Sequence, residues 1–476
     1  MLPRIIRHEW RILLADRTLW AIGALLLATI GYGAWNGVSW VRFQENTLRA
    51  TAAEEHERLE ALKKGIVDAN AGRTSPASFS DPRTPAAVGR SLGVRYASMP
   101  PGPLAALAIG QSDIYPYYFK VSTSSKTTFL NNDEIEHPVH LMSGRFDLAF
   151  VVLYLYPLII LTLSYNLISA EKEQGTLAMT LSQPVSLRTL VAGKIVLRFA
   201  FVLAMAVGLA FAAMLVGGVR LSAEVAPRLL LWIAVVAAYG AFWFISAAAV
   251  NAAGWNSSTN AMALAGIWLA LVLLIPSLLN VAVKSMHPVP SRVELIQAMR
   301  AATTETSAAG SRLLARFYED HPDLADSRTS TSDFAAASLA VQEEVDRRVQ
   351  PVLAQFDEQL DRQQSMVDRY RFLSPAIVAQ ATLFDIAGTS SYRYKHFLAL
   401  TDQFHRAWSA NLNPRIVRRE KLSPDSIDQL PRFQFQEESS ARVARRVATG
   451  LAGLLLPAAL IGLLAMKAVQ RASIAN

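Results

Sequence analysis

The stretch "LAFVVLYLYPLIILTLSYNLISA", residues 148–170, carries no charged side chain and is followed at once by Glu171, Lys172 and Glu173. About 20 consecutive apolar residues in a helix cross the hydrocarbon core of a bilayer. The stretch therefore predicts a membrane-spanning helix that ends abruptly at a polar boundary.

Five more windows have the same apolar character: residues 18–41, 199–219, 229–250, 261–283 and 447–466. None of the six contains Asp, Glu, Lys or Arg, whereas a charge at bilayer depth would be the usual mark of a proton relay or ion pathway. Coupling to an ion gradient is therefore not expected. The first window follows a basic N-terminal tail but is too long for a signal peptide, so we expect an uncleaved first span.

The composition agrees with a chain that faces a solvent other than water. Hydrophobic residues make up 52% of the 476 residues and charged residues only 18%, against about a quarter charged in soluble proteins. The absence of cysteine excludes a disulfide framework, a thiolate metal site and a thiol nucleophile. The net charge of +8 is explained by arginines beside the spans that face lipid headgroups, so the sequence does not call for a nucleic-acid partner.

The predicted fold is an all-α membrane protein with six transmembrane helices and two large, mostly helical external insertions, the first with some β structure. The predicted segments are a cytoplasmic amphipathic helix (1–17), six transmembrane helices (18–41, 147–170, 194–219, 229–250, 261–283 and 447–466), two external domains (42–146 and 284–446), a cytoplasmic connection (171–193) and a cytoplasmic tail (467–476).

The distribution of basic residues predicts the orientation of these segments. Six spans place both termini on one side and both large insertions on the other. The N-terminal tail carries Arg4, Arg7, Arg11 and Arg17, and positive charge beside short segments favours the cytoplasmic side. We therefore expect a multi-pass protein of the inner, cytoplasmic membrane with both termini in the cytoplasm. Three arginines that border the last span on the other side, Arg442, Arg445 and Arg446, run against this rule, but long loops translocate largely regardless of charge.

The external insertions have recognisable local patterns. "RFQENTLRATAAEEHERLEALKKGI" (42–66) predicts a helix, and "YPYYFKVSTSS" (115–125) has the aromatic and β-branched content of a strand. In the second insertion, apolar residues recur every three or four positions and predict the packing face of a helix. They are Val341, Val345, Val349, Leu353, Phe356 and Leu360. Pro351 is expected to kink or divide this helix.

Motifs of catalysis are absent from the sequence. There is no HExxH pair, no GxSxG elbow and no GxxxxGK[ST] phosphate loop, and Gly193-Lys194 lacks the rest of that loop. We therefore expect no catalytic residues and no ATP hydrolysis by this chain alone. The only candidate metal ligands lie in "DEIEHPVH", where Pro138 excludes a helix that would set their spacing, so a solvated loop is the preferred interpretation. These candidates are Glu134, Glu136, His137 and His140.

The polar boundary after residue 170 leads into a segment with its own pattern. Glu171 and Glu173 place negative charge where the dipole of a helix running from Glu171 to Ser182 would favour it. Gly175 lets the chain bend sharply where the span ends.

The rest of this segment completes the prediction of a short helix on the membrane surface. Leu177 and Leu181, four residues apart, would share one face, Pro184 ends the helix and Ser186 is a reasonable N-cap for the next one. An ordinary interfacial loop held at the headgroups by its charges is the alternative, which the residue pattern alone does not exclude.

At these residues the sequence resembles a known family. "EKEQGTLAMTLSQPVSLRTLVAGK" (171–194) is similar to the E-x-E-x-G-T-L, L-S-x-P-V-S and G-K signature of ABC-2 type permeases, the membrane subunits of exporters powered by a separate ATP-binding-cassette ATPase. "PGPLAALAIGQSDIYPYYFKVS" (101–122) and "SGRFDLAFVVLYLYPLIILTLSYN" (143–166) resemble a subgroup whose large external insertions are known only as a domain of unknown function.

The resemblance implies partners and sites. It implies a dimer of six-span subunits, formed with an identical chain or a related paralogue, above a cytoplasmic ATPase dimer that binds ATP and Mg, while this chain holds no cofactor. The family's coupling segment corresponds to Glu171, Glu173, Gly175 and Thr176, and we add Leu177 and Leu181 to it. The implied amphipathic N-terminal helix along the membrane surface contains Arg7, Trp10, Arg11 and Arg17.

Together these features predict the permease subunit of an ABC-2 type ABC transporter, an exporter driven by a separate cytoplasmic ATPase. The alternative is a mechanotransmission complex, in which ATP hydrolysis moves the external domains to release or mature an envelope component without transmembrane transport. A third interpretation, an integral membrane enzyme, is disfavoured by the missing catalytic motifs. The substrate and the role of the external domains stay open at this point.

Overall fold

The structure is a computed structural model of a helical membrane protein. It describes residues 17–77, 80–124, 146–182, 186–216, 222–223, 225–289, 292–308 and 334–474, together with 7, 9–11, 15 and 319. Within these residues, six helices are long and apolar enough to cross a membrane, which confirms the predicted fold class. We call them spans 1 to 6, and they are Trp20–Asn70, Leu148–Glu173, Leu187–Ala212, Val225–Asn251, Ser257–Met286 and Ser440–Lys467.

The described residues form mostly α-helices and two short strands. The α-helices are Arg17–Asn70, Pro85–Ala87, Leu148–Phe150, Tyr156–Ser164, Ser169–Glu173, Thr176–Leu181, Leu187–Val216, Val225–Asn251, Ser257–Trp268, Ile275–Met286, Arg292–Ala308, Phe334–Tyr370, Pro375–Ala387, Ser391–Val417, Pro424–Asp428 and Ser440–Ile474. Wider π-helical turns lie at Val88–Leu92, Val151–Leu155 and Leu269–Leu274, and a 3-10 turn lies at Arg371–Leu373. Strands β1 (Arg95–Ser98) and β2 (Tyr118–Val121) form an antiparallel pair.

Span 1 belongs to a single helix of 54 residues, Arg17–Asn70. At 1.5 Å per residue this helix is about 80 Å long, far more than the roughly 30 Å hydrocarbon core. From the sequence, the span was expected to end at residue 41 and residues 42–66 to form a separate helix. The structure joins the two into one continuous rod that extends from the apolar bundle into the part of the protein formed by the two large insertions.

Spans 2 and 4 form the centre of the membrane bundle. Their most apolar windows are 67% and 56% buried, against 17–22% for spans 3, 5 and 6. Span 4 contributes three fully buried aromatic residues, Trp232, Tyr239 and Trp243. The outer spans therefore leave broad apolar faces, which only hydrocarbon or another apolar protein surface could cover favourably.

The two large insertions share one hydrophobic core, which we call the external core after its predicted location. The first contributes the outer part of the span 1 helix and the β1–β2 pair, and the second contributes the helix Ser391–Val417 and the segment after it. Ring stacking of Phe119 on Phe397, with centroids 5.6 Å apart, joins the two insertions. The strand predicted within residues 115–125 is β2, and its partner β1 was not predicted from the sequence.

The first part of the predicted apolar stripe of the second insertion packs as a helix face, whereas Leu360 at its end is exposed. Val345 and Val349 of the helix Phe334–Tyr370 are buried against Ala302 of the helix Arg292–Ala308. The expectation that Pro351 could divide this helix is wrong, because the helix runs through that position without a break. A proline inside a helix removes one hydrogen bond, and the packed stripe offsets that loss.

The short apolar helix Pro375–Ala387 lies in the core of the membrane bundle, although the sequence analysis counted it as part of the external insertion. It packs on spans 4 and 6, and the Ser374 hydroxyl that caps it donates to the Leu271 carbonyl of span 5 at 2.5 Å. Thirteen residues are too few to cross the membrane. The second insertion therefore reaches back into the bundle with this helix.

A loop of residues 100–113 joins the bundle to the external core. Its Ala106 carbonyl lies so close to span 1 that a Cβ built on Gly37 would be 2.0 Å from it. The amide of Ile109 donates to Asp147 Oδ2 at 2.8 Å, while Asp147 Oδ1 accepts from Phe150 at 2.7 Å and caps span 2. This loop therefore fixes the beginning of span 2 against span 1.

Candidate functional site

Span 2 ends in a short helix, Ser169–Glu173, and a second short helix, Thr176–Leu181, follows it after a turn. The sequence analysis predicted one helix from Glu171 to Ser182, and the structure corrects this by dividing it at Gly175. Gly175 has a φ of +70°, a conformation that strains residues with a side chain. No atom lies within 4 Å of a Cβ built there, so the requirement for glycine comes from the backbone alone.

Glu171 is held by a buried cation of span 3. Lys194 Nζ lies 2.7 Å from Glu171 Oε1 and donates to the Leu167 carbonyl at 3.1 Å. Lys194 is only 5% exposed. A buried ammonium is tolerated only with partners of this kind, so Glu171 is tied to span 3 and does not simply face water.

A second carboxylate reaches the same cation from the N-terminal segment. Glu9 is 4% exposed. Its Oε1 lies 3.6 Å from Lys194 Nζ and its Oε2 lies 3.5 Å from Arg198 Nη2. Arg198 also donates to the Leu163 carbonyl near the end of span 2. Two acids and two bases from three parts of the chain thus form one buried, charge-balanced cluster, which we call the Glu9–Lys194 cluster: Glu9, Glu171, Lys194 and Arg198.

The predicted N-terminal helix is described in part. Residues 7, 9–11 and 15 have helical backbone, and Arg7, Trp10 and Arg11 are exposed around the buried Glu9. Arg17 begins the span 1 helix, and its side chain lies outside the described residues. The sequence analysis did not single out Glu9. The available signal was one acidic residue in the otherwise basic "RHEWR".

Glu173 joins the same segment to the beginning of span 5. Its Oε1 accepts from the Ser257 amide at 2.6 Å and its Oε2 accepts from the Ser257 hydroxyl at 2.9 Å. Lys172 Nζ donates to the Gly254 carbonyl at 3.3 Å. The connection after span 2 is therefore bonded to the turn between spans 4 and 5, and Glu173 supplies an anion to the first amide of a helix.

Two buried amides reinforce this end of the bundle. Asn251 of span 4 accepts from the Ile168 amide at 3.2 Å and donates to the Ser164 carbonyl at 3.0 Å. Asn260 of span 5 donates to Asn251 Oδ1 at 3.3 Å. Hydrogen bonds among buried polar groups fix a unique arrangement, so spans 2, 4 and 5 meet here in one defined geometry. Neither asparagine was identified from the sequence.

The remaining predicted residues lie on or beside the helix Thr176–Leu181. The Thr176 hydroxyl donates to the Glu171 carbonyl at 3.3 Å. Leu177 packs against Leu167, Ile168 and Val191, whereas Met179 is 73% exposed. The side-chain surroundings of Leu181 lie outside the described residues. One face of the helix is thus seated on the bundle and another presents an apolar side chain to the outside.

The candidate metal ligands Glu134, Glu136, His137 and His140 lie outside the described residues, within 125–145. Among the residues that the structure does describe, no group of three or more His, Cys, Asp or Glu side chains could hold a metal ion.

Comparison with known proteins gives two family matches. Residues 116–277 match the family described as ABC-2 family transporter protein, which supports the predicted ABC-2 type permease. Residues 292–436 match a second family, described as Domain of unknown function (DUF3526). No curated protein matches the chain. The first match contains the whole segment from Glu171 to Ser257 that the hydrogen bonds described above tie together.

Proposed function

We propose that this chain, whose residues 116–277 carry the ABC-2 transporter domain, is the permease subunit of an ABC exporter driven by a separate cytoplasmic ATPase. ATP and Mg would bind to that partner and not to this chain. The observation that carries the proposal is the set of bonds made by Glu171 and Glu173, which connect the end of span 2, directly before the exposed helix Thr176–Leu181, to Lys194 of span 3 and to Ser257 of span 5.

The exposed helix Thr176–Leu181 is the surface that we assign to the ATPase. A force on this helix acts through the turn at Gly175, and through the bond from Thr176 to the Glu171 carbonyl, on Glu171 and Glu173 and so on spans 2, 3 and 5. The N-terminal segment joins the same movement through Glu9. Because a ligand shifts a protein between two states only through its differential affinity for them, ATP in the partner must favour one arrangement of these spans.

Span 2 offers a route for this movement across the membrane. One end carries Glu171, and the other is capped by Asp147, whose second oxygen holds the loop 100–113. Span 2 changes from helix to turn at residues 165–168, but most of its length is enclosed by the other spans, so a displacement of one end should be transmitted to the other through close packing.

This route supports mechanotransmission as the second candidate function. The loop 100–113 contacts both the span 1 helix and the end of the helix Pro375–Ala387, where the Leu104 amide donates to the Ala387 carbonyl at 3.3 Å. A stroke that reaches Asp147 would therefore move the shared external core without requiring a path for a substrate between the spans.

Spans 3, 5 and 6 leave apolar faces exposed, and these faces indicate two further partners of the chain. We propose that membrane lipid and a second permease subunit, either an identical chain or a related paralogue, cover them. The protein would lie in the inner membrane with both termini in the cytoplasm and the external core on the opposite side.

The decisive experiment combines the full chain with its cognate ATPase in lipid nanodiscs. The double variant Glu171→Gln/Glu173→Gln should reach the membrane at normal levels and lose most of its stimulation of the ATPase, or lose the complex. The matched control is Glu45→Gln/Glu57→Gln on the outer part of the span 1 helix, which should behave as wild type. Full stimulation by the first variant would refute the assignment of this segment.

A further inference from the structure

Spans 2 and 5 each contain a π-helical turn that is followed by a proline. In span 2 the turn Val151–Leu155 precedes Pro157, and in span 5 the turn Leu269–Leu274 precedes Pro276. The remaining π turn among the described residues, Val88–Leu92, lies outside the membrane bundle and lacks a proline at the corresponding position. A π turn widens a helix and a proline removes a backbone donor, so each combination is a weak point in its span.

In span 2, a tyrosine of span 4 replaces the donor that Pro157 lacks. An N–H at position 157 would reach the carbonyl of Leu153 in an α-helix or that of Val152 in a π turn. The Leu153 carbonyl instead accepts from the Tyr239 hydroxyl at 2.9 Å. Tyr239 is fully buried, so one hydroxyl from a neighbouring span holds this turn.

In span 5, the serine that caps the helix Pro375–Ala387 has the same role. An N–H at position 276 would reach the carbonyl of Val272 in an α-helix or that of Leu271 in a π turn. The Leu271 carbonyl instead accepts from the Ser374 hydroxyl at 2.5 Å, and Ser374 is fully buried. Each proline is therefore compensated by one buried hydroxyl from a different element.

Both turns lie against the same short helix, Pro375–Ala387. At the ends that carry the candidate coupling segment, spans 2 and 5 are joined to each other by Glu173 and Ser257. The two spans thus share a joint at one end, and each has a weak point where it meets a common helix. A movement of the joined ends would change the angle at both turns, because the backbone is least restrained there.

We propose that these two turns are paired hinges, at which the joined ends of spans 2 and 5 change their angle to the helix Pro375–Ala387. The hydroxyls of Tyr239 and Ser374 are the latches that hold the hinges in the state described above. The hinge of span 2 absorbs a tilt but still passes a displacement along the helix axis, so it agrees with the route through span 2. Only the source of the force rests on the proposed function.

The first experiment measures the hinge of span 5 in the full chain in lipid nanodiscs, without an ATPase. Spin labels at Met262→Cys and Met286→Cys, both exposed, lie on either side of the turn and about 36 Å apart in a straight helix. Ser374→Ala should broaden or shift their distance distribution in double electron–electron resonance. Adding Pro276→Ala, which supplies the missing N–H, should restore a narrow distribution.

The matched control is a label pair at Leu25→Cys and Arg49→Cys in the span 1 helix. This pair has the same separation in sequence, and its helix contains neither a π turn nor a proline. Its distribution should stay unchanged in Ser374→Ala. An unchanged span 5 distribution in that variant, equal broadening of both pairs, or no recovery with Pro276→Ala would each overturn the proposal. Loss of the serine as a helix cap alone would not be repaired by Pro276→Ala.

The second experiment tests the hinge of span 2 by thermal unfolding of the full chain in detergent. Tyr239→Phe should lower the unfolding temperature. Pro157→Ala should raise it more in the Tyr239→Phe background than in the wild type, because the new N–H replaces the lost hydroxyl. Pro276→Ala, at the other hinge, should raise it equally in both backgrounds. Equal effects of Pro157→Ala in the two backgrounds would refute the latch.

A third measurement links the hinges to coupling. In nanodiscs with the cognate ATPase, Pro157→Ala/Pro276→Ala should still bind the ATPase but stimulate it several-fold less, because both hinges are stiffer. Full stimulation would overturn a part for the hinges in coupling. If the wild type stimulated no ATPase, the proposed function would fail, while the distance measurements without ATPase would still decide whether the hinges exist.

Discussion

Glu171 and Lys194, 23 residues apart in the chain, form an ion pair with an Nζ to Oε1 distance of 2.7 Å. Lys194 is almost completely buried, whereas many other ion pairs of this protein are exposed to solvent. The partners of Lys194 come from the end of span 2 and from the N-terminal segment, which makes this lysine the common anchor of two separate elements.

The first prediction concerns the stability of this anchor. Lys194→Met removes the cation, leaves Glu171 without a partner and leaves Glu9 with Arg198 alone, which should cost about 3–5 kcal/mol of unfolding free energy. Adding Glu171→Gln should recover part of the loss, because one stranded charge is then removed. Unfolding in detergent measures both effects. The control is Arg406→Gln, which breaks an exposed pair with Asp402 and should cost about 0–1 kcal/mol. Equal losses in Lys194→Met and Arg406→Gln would contradict the buried cluster.

A second prediction separates backbone from side-chain requirements at Gly175. Gly175→Asn should be nearly neutral, because asparagine adopts a positive φ readily, whereas Gly175→Val should cost about 1–3 kcal/mol or shift the helix Thr176–Leu181. We expect both variants to insert normally and only the valine variant to lose stimulation of the partner ATPase. Equal stimulation of the ATPase by the asparagine and valine variants would show that coupling does not need a positive φ at position 175.

A third prediction tests the close contact between span 1 and the loop 100–113. Gly37→Ala places a Cβ 2.0 Å from the Ala106 carbonyl, so the backbone must move and the unfolding temperature should fall clearly. Gly31→Ala, on the same helix with no atom within 4 Å of its Cβ, should be neutral or stabilise by up to about 1 kcal/mol. If Gly31→Ala lowered the unfolding temperature more than Gly37→Ala, the loop would not pack on Gly37.

The fourth prediction is a pH dependence that arises from Asp147. Burial raises the pKa of its carboxyl from 3.8 to about 6, so the folded state binds this proton more tightly than the unfolded state. The stability that Asp147 contributes is therefore fully present below pH 4 and is lost as the pH rises through about 6, by roughly 3 kcal/mol in all. Unfolding scans between pH 4.5 and 7.5 should show this decline in the wild type and a flatter profile in Asp147→Asn. If stability fell with pH equally in the wild type and in Asp147→Asn, the decline would not arise from Asp147.

A fifth prediction addresses orientation, using the absence of native cysteine. Ser75→Cys and Glu420→Cys, both exposed in the external core, should react with a membrane-impermeant thiol reagent in intact cells, after permeabilisation of an outer membrane if one is present. Gln174→Cys should react only after the inner membrane is opened. Labelling of position 174 alone would reverse the topology.

Local features of the sequence predicted much of this architecture. The spans follow from apolar length, and the bend at Gly175 follows from a residue that tolerates positive φ. The acidic residues of the segment after span 2 were recognised, but their partners were not, because Lys194, Ser257 and Glu9 are brought to them only by the packing of other spans.

The features that the sequence did not predict depend on distant contacts. The pattern of the helix Pro375–Ala387 is apolar but too short to be read as a span, and nothing local shows that it enters the bundle. The shared external core joins β1 and the span 1 helix to residues beyond 390, a contact between parts of the chain about 300 residues apart. Pro351 does not divide its helix, because the apolar stripe beside it packs on another helix and offsets the missing hydrogen bond.

The unbroken helix of span 1 has a geometric consequence. A rod of about 80 Å that pivots near one end moves its other end by roughly 7 Å for a tilt of only 5°. The far part of this rod packs in the external core through Leu59 and Leu62. A small change of angle at the membrane would therefore displace the external core by several ångström, because the rod itself carries the movement without a chain of contacts through the bundle.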